Sequence, residues 1–278
     1  MLGESTGATA ETPRSIYREL PPPPALAAHV LCVWSQVIGA GETLYRHRVL
    51  PDGCADVVWI GEAAAVVAGP ATGPVIVPLT PRTMVVGIRL RPGAAQDVLG
   101  VPASELVNRD TPLDDIWGAR TRALWAPVIE QPSLAARLAA AAAGLSERLA
   151  GAGSPDPAIA AATLWLARHP AGRIGELARF VDMNERRLRR RFAATIGYGP
   201  KTFQRVLRLQ RVLRLAGEGP RAGARLAMIA AEAGYADQAH MSRELRALTG
   251  RSPATVLQGC ASTLELSGLF KTEVPSAA

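Results

Sequence analysis

The C-terminal third of this chain contains an internal repeat, which limits the folds that the chain can adopt. Residues 176–203 read ELARFVDMNERRLRRRFAATIGYGPKTF, and residues 228–256 read MIAAEAGYADQAHMSRELRALTGRSPATV. An apolar residue followed by Ala opens each copy, at Leu177 and at Ile229, 52 residues apart, whereas the closing Gly-x-x-Pro segments lie 53 apart. A repeat with one extra residue in its middle indicates two copies of one supersecondary unit whose turns differ in length.

Each copy has the pattern of a helix, a short turn and a second helix. Asn184 and Asp237 stand where the second helices begin, and both residue types are good N-caps. In the first copy Leu188 and Phe192, four residues apart, are expected to face inward, and arginines fill the remaining surface. The inner residues expected in the second copy are Met241, Leu245 and Leu248. Two short helices around a small-residue turn, with a basic outer face on the second helix, are typical of a helix-turn-helix that reads the major groove.

The segment between the two copies predicts a long helix. Residues 203–216, FQRVLRLQRVLRLA, have a wide apolar surface, and arginine recurs at every third position from Arg205 to Arg214. We expect this helix to be a rigid spacer, which would fix the two recognition helices so that they read successive major-groove turns on one face of the DNA.

The positive charge of the chain is concentrated in the same region. The formal net charge is +7, and residues 173–214 contain 12 Arg and Lys against three acidic residues. A localised basic block is the electrostatic footprint of a polyanion-binding surface. Charge alone does not separate such a surface from a solvated helix face, but its coincidence with the repeat favours nucleic acid.

Residues about 157–258 resemble the C-terminal DNA-binding domain of AraC/XylS-type regulators. The matching segments are LARFVDMNERRLRRRF with GYGP in the first copy, and IAAEAGYADQAHMSREL with TGRSP in the second. The departures are Asp182 where Gly is usual, Ala239 where a small polar residue is frequent, and Leu245 where Phe is usual. Asp182 is expected to make the first turn less tight. The resemblance implies seven helices, with two recognition helices in adjacent major grooves.

The resemblance also implies which side chains contact DNA. By position, the expected base contacts are Arg186, Arg189, Arg190, Gln238, Ala239, His240 and Arg243. Arg suits guanine, Gln suits adenine, and Ala suits the thymine methyl group. The expected phosphate contacts, which give affinity without sequence choice, are Arg187, Arg191, Lys201 and Arg205. For Arg187 and Arg191, an ordinary solvated charge is an equal alternative.

The N-terminal part has the sequence pattern of a β-rich domain. Residues 25–91 contain short apolar runs rich in Val, Ile and Trp, separated by Gly, Pro and Asp, which predicts several short strands. Residues 133–150 predict a helix with Arg137 exposed, whose apolar side packs either on the strands or on a second subunit. The resemblance implies a cupin-like barrel that binds an effector or dimerises. The predicted fold class is α+β: a β-rich sensor domain with flanking helices, followed by an all-α domain with two helix-turn-helix units.

An effector pocket in the β-rich domain is expected to be lined by Trp34, Tyr45, Trp59 and Arg89, although aromatic residues on strands more often belong to the core. A catalytic or metal site is a weaker alternative, based on His47, Asp52, Cys54 and Asp56. The structural interpretation, a PDG turn followed by a strand with Cys54 as a small hydrophobic residue, is preferred. We therefore expect no catalytic residue, no metal and no cofactor.

The predicted domain organisation has five parts. They are a flexible leader (1–24), a β-rich effector or dimerisation domain (25–150), a linker (151–157), the AraC-type DNA-binding domain (158–260) and a tail (261–278). The three cysteines form no CxxC pair, the N-terminus has no signal pattern, and no apolar run reaches the ~18 residues of a membrane span. We therefore expect a cytoplasmic protein.

The function predicted from these patterns is sequence-specific, DNA-binding transcription regulation, controlled by a small molecule or by dimerisation. The expected partners are double-stranded DNA, a small-molecule effector, RNA polymerase and a second copy of the chain, and not a membrane. Two alternatives remain open at this point. One is a DNA-repair methyl-acceptor or another enzyme fused to a helix-turn-helix domain, and the other is a ligand-independent interaction module.

Overall fold

The computed structural model describes residues 15–41, 44–62, 64–118, 122–150, 153–217 and 225–260. Within them a β-rich N-terminal part precedes an all-helical C-terminal part, which confirms the predicted α+β class. The strands are β1 (Ser15–Leu20), β2 (Val30–Ile38), β3 (Tyr45–Val49), β4 (Asp56–Ile60), β5 (Ala64–Ala68), β6 (Val75–Leu79), β7 (Met84–Leu90) and β8 (Asp110–Pro112).

The strands form two antiparallel sheets. The larger has the order β1-β2-β7-β4-β5-β8, and the smaller pairs β3 with β6. Trp34 of β2 lies directly opposite Gly87 of β7. A Cβ atom at Gly87 would come within 2.3 Å of the Trp34 indole, so glycine at this position makes room for the ring.

The first strand corrects the predicted leader. Residues 15–20 were expected to belong to a flexible segment, but they pair along their whole length with β2, from Ser15 opposite Ile38 to Leu20 opposite Val33. Their alternation of half-buried and exposed side chains is the period of an edge strand, which the neighbouring prolines obscured in the sequence. Residues 1–14, like the predicted tail at 261–278, lie outside the described residues.

The larger sheet has an apolar core on each face. On one face, Trp34, Val58 and Val85 pack against Leu79 and Val77 of the smaller sheet. On the other face, side chains such as Val57 and Ile88 pack against helices. Because successive strand residues point to opposite faces, one continuous run of apolar residues supplies both cores.

Eleven α-helices occur within the described residues. Four belong to the N-terminal part: α1 (Ala95–Leu99), α2 (Leu113–Trp117), α3 (Arg122–Glu130) and α4 (Leu134–Arg148). The C-terminal part has seven, the number that the resemblance implies: α5 (Pro157–Arg168), α6 (Ile174–Phe180), α7 (Glu185–Ile196), α8 (Pro200–Gly217), α9 (Arg225–Glu232), α10 (Gln238–Thr249) and α11 (Pro253–Cys260).

Helix α4 packs on the larger sheet of its own chain. Leu138, Ala141 and Leu145 belong to the core beneath that sheet, so the apolar side that suggested a dimer is already covered. Arg137, expected to be exposed, is buried, and its guanidinium donates to the carbonyl oxygens of Gly61, Gln131 and Ile129. The prediction was wrong because three backbone acceptors satisfy a charge that helical periodicity alone assigned to solvent.

The C-terminal helices surround α8. The N-terminal half of α8, including Phe203 and Val206, packs in one core with α5, α6 and α7. Its C-terminal half, including Leu209 and Val212, packs in a second core with α9, α10 and α11. The expected spacer is therefore a central helix with most of its side chains buried.

The loop between β3 and β4 joins the two parts of the molecule. Leu50 packs against the second helical core, and the Gln210 side-chain amide of α8 donates to the Pro51 carbonyl oxygen at 2.6 Å. Gly53 lies against the ring of Phe203, which a Cβ atom at Gly53 would approach to 2.5 Å. Residues 50–53, called the docking loop below, thus place the β-rich part directly on α8.

Candidate nucleic-acid interface

The two turns of the repeat share the same backbone hydrogen bonds. In the first copy the amide of Met183 donates to the carbonyl of Ala178 at 2.9 Å, and in the second the amide of Tyr235 donates to that of Ala230 at 2.9 Å. The turn residues Asp182 and Gly234 both have a left-handed backbone, with φ values of 50° and 82°. Asp182 therefore adopts a left-handed conformation to which glycine is better suited.

The second helix of each copy, α7 or α10, begins and ends with the same capping features. The Asn184 side chain accepts from the Arg187 amide at 2.8 Å, and the Asp237 side chain accepts from the His240 amide at 2.6 Å. Gly197 and Gly250 end α7 and α10 in the left-handed conformation. The caps fix where each helix starts, which decides the side chains that its first turns present.

Helix α7 presents its arginines to solvent. Leu188 and Phe192 are buried, as the spacing predicted. Arg186, Arg187 and Arg190 are exposed, and within the described part of the chain none of them has an ion-pair partner. Arg189 is exposed and paired with Glu185 one turn earlier, at 3.0 Å. The basic surface near the N-terminal end of α7, where the helix dipole is also positive, suits phosphate and guanine.

Helix α10 presents a smaller and less charged surface. Gln238, Ala239 and Arg243 are exposed at its N-terminal half. His240 is half-buried, packs edge-on against the Tyr235 ring at 5.3 Å, and lies 3.4 Å from the Glu244 carboxylate. Of the predicted base contacts on α10, His240 is thus held by neighbours on its own side of the helix, as Arg189 is on α7.

A buried ionic network joins α10 to α8. Arg208, 3% exposed, donates two hydrogen bonds of 2.8 Å to the Glu244 carboxylate. Arg205 also reaches Glu244 at 3.3 Å, and the Arg208 guanidinium lies 4.9 Å from the centre of the Tyr235 ring. Sequence reasoning missed Glu244. The arginine spacing in α8 was visible, but only the fold brings α10 beside it.

The predicted phosphate contacts differ in their surroundings. Arg187 is exposed, whereas Arg191 is half-buried and bonded to the Asp156 carboxylate that caps α5. Lys201 donates to the Gln204 side chain at 2.9 Å, and Arg205 pairs with Glu244. Phosphate contact at Arg191 or Arg205 would therefore replace an existing ion pair.

The four predicted pocket residues do not surround one site. Trp34 and Tyr45 lie between the two sheets, whereas Trp59 lies on the helix-covered face of the larger sheet. Arg89 is paired with the carboxylates of Glu19 at 3.2 Å, Asp52 at 3.3 Å and Asp56 at 3.2 Å.

The carboxylates around Arg89 form a buried polar cluster. The Trp34 indole nitrogen donates to Asp56 at 2.6 Å. Burial raises the pKa of Asp56 to about 6, and the nearby Asp52 adds to this, against the lowering effect of Arg89 and the hydrogen bond from Trp34. Sequence reasoning found Arg89 and Asp56 but did not place them together.

The cysteines have the surroundings of structural residues. Cys32 and Cys54 are buried and free. Burial raises the pKa of Cys32 to about 12 and that of Cys54 well above its usual value, so both side chains are thiols rather than nucleophilic thiolates. This argues against methyl transfer to Cys54. Among the described residues no group of three or more His, Cys, Asp or Glu is arranged to hold a metal ion.

Among the described residues, no helix combines the length and the apolar character that a membrane span requires.

Residues 18–112 match a domain family of unknown function, DUF6597, and residues 177–259 match a family described as a helix-turn-helix domain. The chain is 34% identical over 104 residues to a Streptomyces antibioticus protein described as an AraC-like transcription regulator. That alignment covers 37% of this chain and 33% of the relative, so the chain spans about a third of the curated protein it matches.

Two solved structures of ToxT from Vibrio cholerae are similar over most of the chain. The structure from strain O395 has a TM-score of 0.45 at 11% identity and covers 91% of this chain and 99% of ToxT. The unsaturated fatty acid-bound structure from strain SCE256 has a TM-score of 0.41 at 11% identity, with 90% and 95% covered.

Proposed function

We propose that this chain is a sequence-specific, DNA-binding transcription regulator, because residues 177–259 match a helix-turn-helix domain family. One observation carries the proposal. The capped helices α7 and α10 both pack on the buried helix α8, and the N-terminal half of each has exposed side chains that can donate hydrogen bonds to DNA. Arg186 and Arg190 of α7 supply guanidinium donors for one major-groove segment. Gln238 and Arg243 of α10 supply donors for the next.

The two helices are held by separate cores along α8, so each would read its own block of the operator. Arg187 and Lys201 add phosphate contacts that carry no sequence information. Because α8 is continuous through both cores, the spacing between the two blocks is fixed by the fold. The operator is therefore a directional sequence with two short blocks about one helical turn apart.

Control by a small molecule or by dimerisation belongs to the same proposal. The docking loop connects the β-rich part to α8 through the hydrogen bond between Gln210 and Pro51 and the contact between Gly53 and Phe203. A change in the β-rich part would thus reach the helix that positions both DNA-reading elements. We expect a metabolite screen to identify a small molecule that alters the affinity of the protein for its operator. Identical operator affinity with every metabolite would contradict control by a small molecule.

The testing experiment is random-library DNA selection with the purified protein, repeated with Arg190→Ala and Arg243→Ala. Each substitution should relax one block of the selected motif, at a cost of roughly 1–3 kcal/mol in binding free energy. Arg168→Ala is the matched control, because it removes an exposed arginine from α5, outside both recognition helices. It should leave both blocks unchanged.

A different outcome would identify the basic region as a general polyanion surface. If no motif is enriched, or if binding depends on salt alone and neither substitution alters it, sequence-specific recognition is refuted.

A further inference from the structure

Helix α10 begins with two reciprocal hydrogen bonds. The side chain of the N-cap residue Asp237 accepts from the His240 amide at 2.6 Å. In the opposite direction, the Ala236 amide donates to Nδ1 of the His240 ring at 3.4 Å. A capping box has a similar arrangement, in which Glu or Gln at the third helical position reaches back to the N-cap amide. In α10 an imidazole is the acceptor, and it reaches the amide one residue earlier.

This hydrogen bond defines the tautomer of His240. A backbone amide can only donate, so Nδ1 carries no proton, and the neutral ring carries its proton on Nε2. Nε2 lies 3.4 Å from the Glu244 carboxylate, an acceptor that favours the same tautomer. The ring also packs edge-on against Tyr235, with 5.3 Å between the ring centres. Both ring nitrogens therefore already have a partner within the protein, and neither is left to bond a base.

The carboxylate beside His240 is itself held by α8. Glu244 accepts two hydrogen bonds of 2.8 Å from the buried Arg208 and lies 3.3 Å from the Arg205 guanidinium. A continuous set of contacts thus runs from the central helix through Glu244 and His240 to the Ala236 amide, which lies in the turn before α10. The turn and the start of α10 are fixed to the same buried helix.

The first copy of the repeat cannot make the returning bond from the same position. Its N-cap residue, Asn184, accepts from the Arg187 amide at 2.8 Å, so Arg187 stands where His240 stands in the second copy. A guanidinium only donates, and this side chain is exposed. The acceptor at the third helical position is therefore a property of α10 and not of the repeat.

We propose that His240 is a positioning residue for DNA recognition rather than a base contact. Its ring ties the turn to α10 and so fixes how the exposed side chains of Gln238, Ala239 and Arg243 approach the major groove. Its position in the sequence predicted a base contact, but its two nitrogen atoms serve the protein. The inference deepens the proposed function and rests on it, because positioning matters only if α10 reads DNA.

The tautomer is tested first, on the full chain without DNA. At about pH 8.5, above the usual histidine pKa of about 6.5, proton–nitrogen NMR distinguishes a protonated from an unprotonated ring nitrogen. Each of the four histidines is assigned by replacing it. His240 should carry its proton on Nε2. His169 is the control and should carry its proton on Nδ1, because that atom lies 2.9 Å from the Trp165 carbonyl oxygen, which only accepts.

The role in recognition is tested by random-library DNA selection with three variants. His240→Ala removes the acceptor. It should lower the preference at every position of the block proposed for α10 and weaken operator binding about two- to tenfold, the effect of losing a helix cap. His240→Gln keeps an acceptor that capping boxes use and should restore both the motif and the affinity. His169→Ala changes an exposed histidine outside both recognition helices and should alter neither.

A base contact would give a different pattern. His240→Ala would then relax a single position of the block, and His240→Gln would change the base selected there. Either result overturns the inference, as does a block that His240→Ala leaves unchanged or a proton on Nδ1 of His240. If His240→Ala does not fold, the tautomer and the His240→Gln motif still decide. A wild-type protein that selects no motif rejects the proposed function, whereas a wild-type motif that His240→Gln alters rejects this inference alone.

Discussion

Arg89 shows how a single side chain organises the space between the sheets. Three carboxylates surround its guanidinium, so the buried cluster holds more acidic than basic groups. A buried ion pair is favourable only when hydrogen bonds satisfy its remaining lone pairs, and Trp34 and Tyr17 donate to Asp56 and Glu19. The Trp34 indole and the Tyr17 phenol therefore stabilise buried carboxylates as well as filling the core.

His47 is a second residue whose charge is set by this space. Burial, followed by the charge of Arg89, lowers its pKa to about 4 from 6.5. Between these values the unfolded chain binds the proton and the folded chain does not, so His47 makes stability fall as the pH falls from about 6.5 to about 4.

His47→Gln should remove this loss, which is on the order of 3 kcal/mol in the free energy of unfolding. The measurement is urea unfolding at several pH values between 4 and 7. His169→Gln, a change at an exposed histidine, serves as the control and should keep the wild-type pH profile. A His47→Gln profile with the same slope as the wild type would show that His47 is not kept neutral by the fold.

At the scale of elements, α8 combines two tasks. Its apolar residues fill both helical cores, and its polar residues fix its neighbours. Gln204 donates to the Gly172 carbonyl, Gln210 donates to the docking loop, and Arg208 binds Glu244 of α10. A helix covered on so many sides can carry polar groups only because each one named here meets a specific acceptor.

Removing either partner of the ion pair between α8 and α10 should destabilise the folded protein. Arg208→Met leaves the Glu244 carboxylate with only its two more exposed partners, and Glu244→Met leaves the Arg208 guanidinium without a carboxylate in a buried position. Each single change should lower the free energy of unfolding by about 3–5 kcal/mol, whereas the double variant should recover most of that loss.

A double-mutant cycle by denaturant unfolding measures this coupling. Additive losses in the double variant would mean that the two side chains act independently. The operator selection described above gives a second measurement, because a misplaced α10 should relax the block proposed for Arg243 before the block proposed for Arg190.

Sequence alone predicted most of the helical repeat, because its determinants are local. The caps Asn184 and Asp237 and the closing glycines are short-range signals, and the structure has them at the expected positions. The sequence did not predict the burial of Arg137 or the pairing of β1, because both depend on residues distant in the chain. The base and phosphate contacts stay predictions, since they depend on bound DNA.

At the scale of the whole molecule, the β-rich and helical parts share one interface. Gly53 has a φ of 85° and lies against Phe203, and Arg48 donates to the Thr249 carbonyl near the end of α10. Gly197, which ends α7, lies within contact distance of Val107. The β-rich part therefore contacts α8 and the C-terminal end of each recognition helix, away from the exposed residues proposed to read DNA.

Gly53→Ala tests whether this interface stabilises both parts. A Cβ atom would strain the left-handed backbone and press on the buried Phe203 ring, for a combined loss of about 2–5 kcal/mol. Gly100→Ala is the control, because Gly100 has a similar φ of 79° but its nearest neighbour would be an arginine nitrogen at 3.7 Å. The control should lose only the backbone contribution, about 1–2 kcal/mol.

Scanning calorimetry should show one transition for the wild type and the Gly100→Ala variant, and two for Gly53→Ala, since the parts would no longer unfold together. Equal losses in the two glycine variants would mean that the contact with Phe203 adds nothing to stability.

The docking loop also bears on how such proteins could be recombined. A chimera cut in the region of residues 151–157 would pair α8 with a foreign loop and leave Gln210 and Phe203 facing a surface that did not evolve with them. A successful transplant of the helical part onto another N-terminal domain would need to carry residues 50–53 with it. The unit of exchange is therefore discontinuous in the chain, and it does not coincide with the boundary that the sequence suggests.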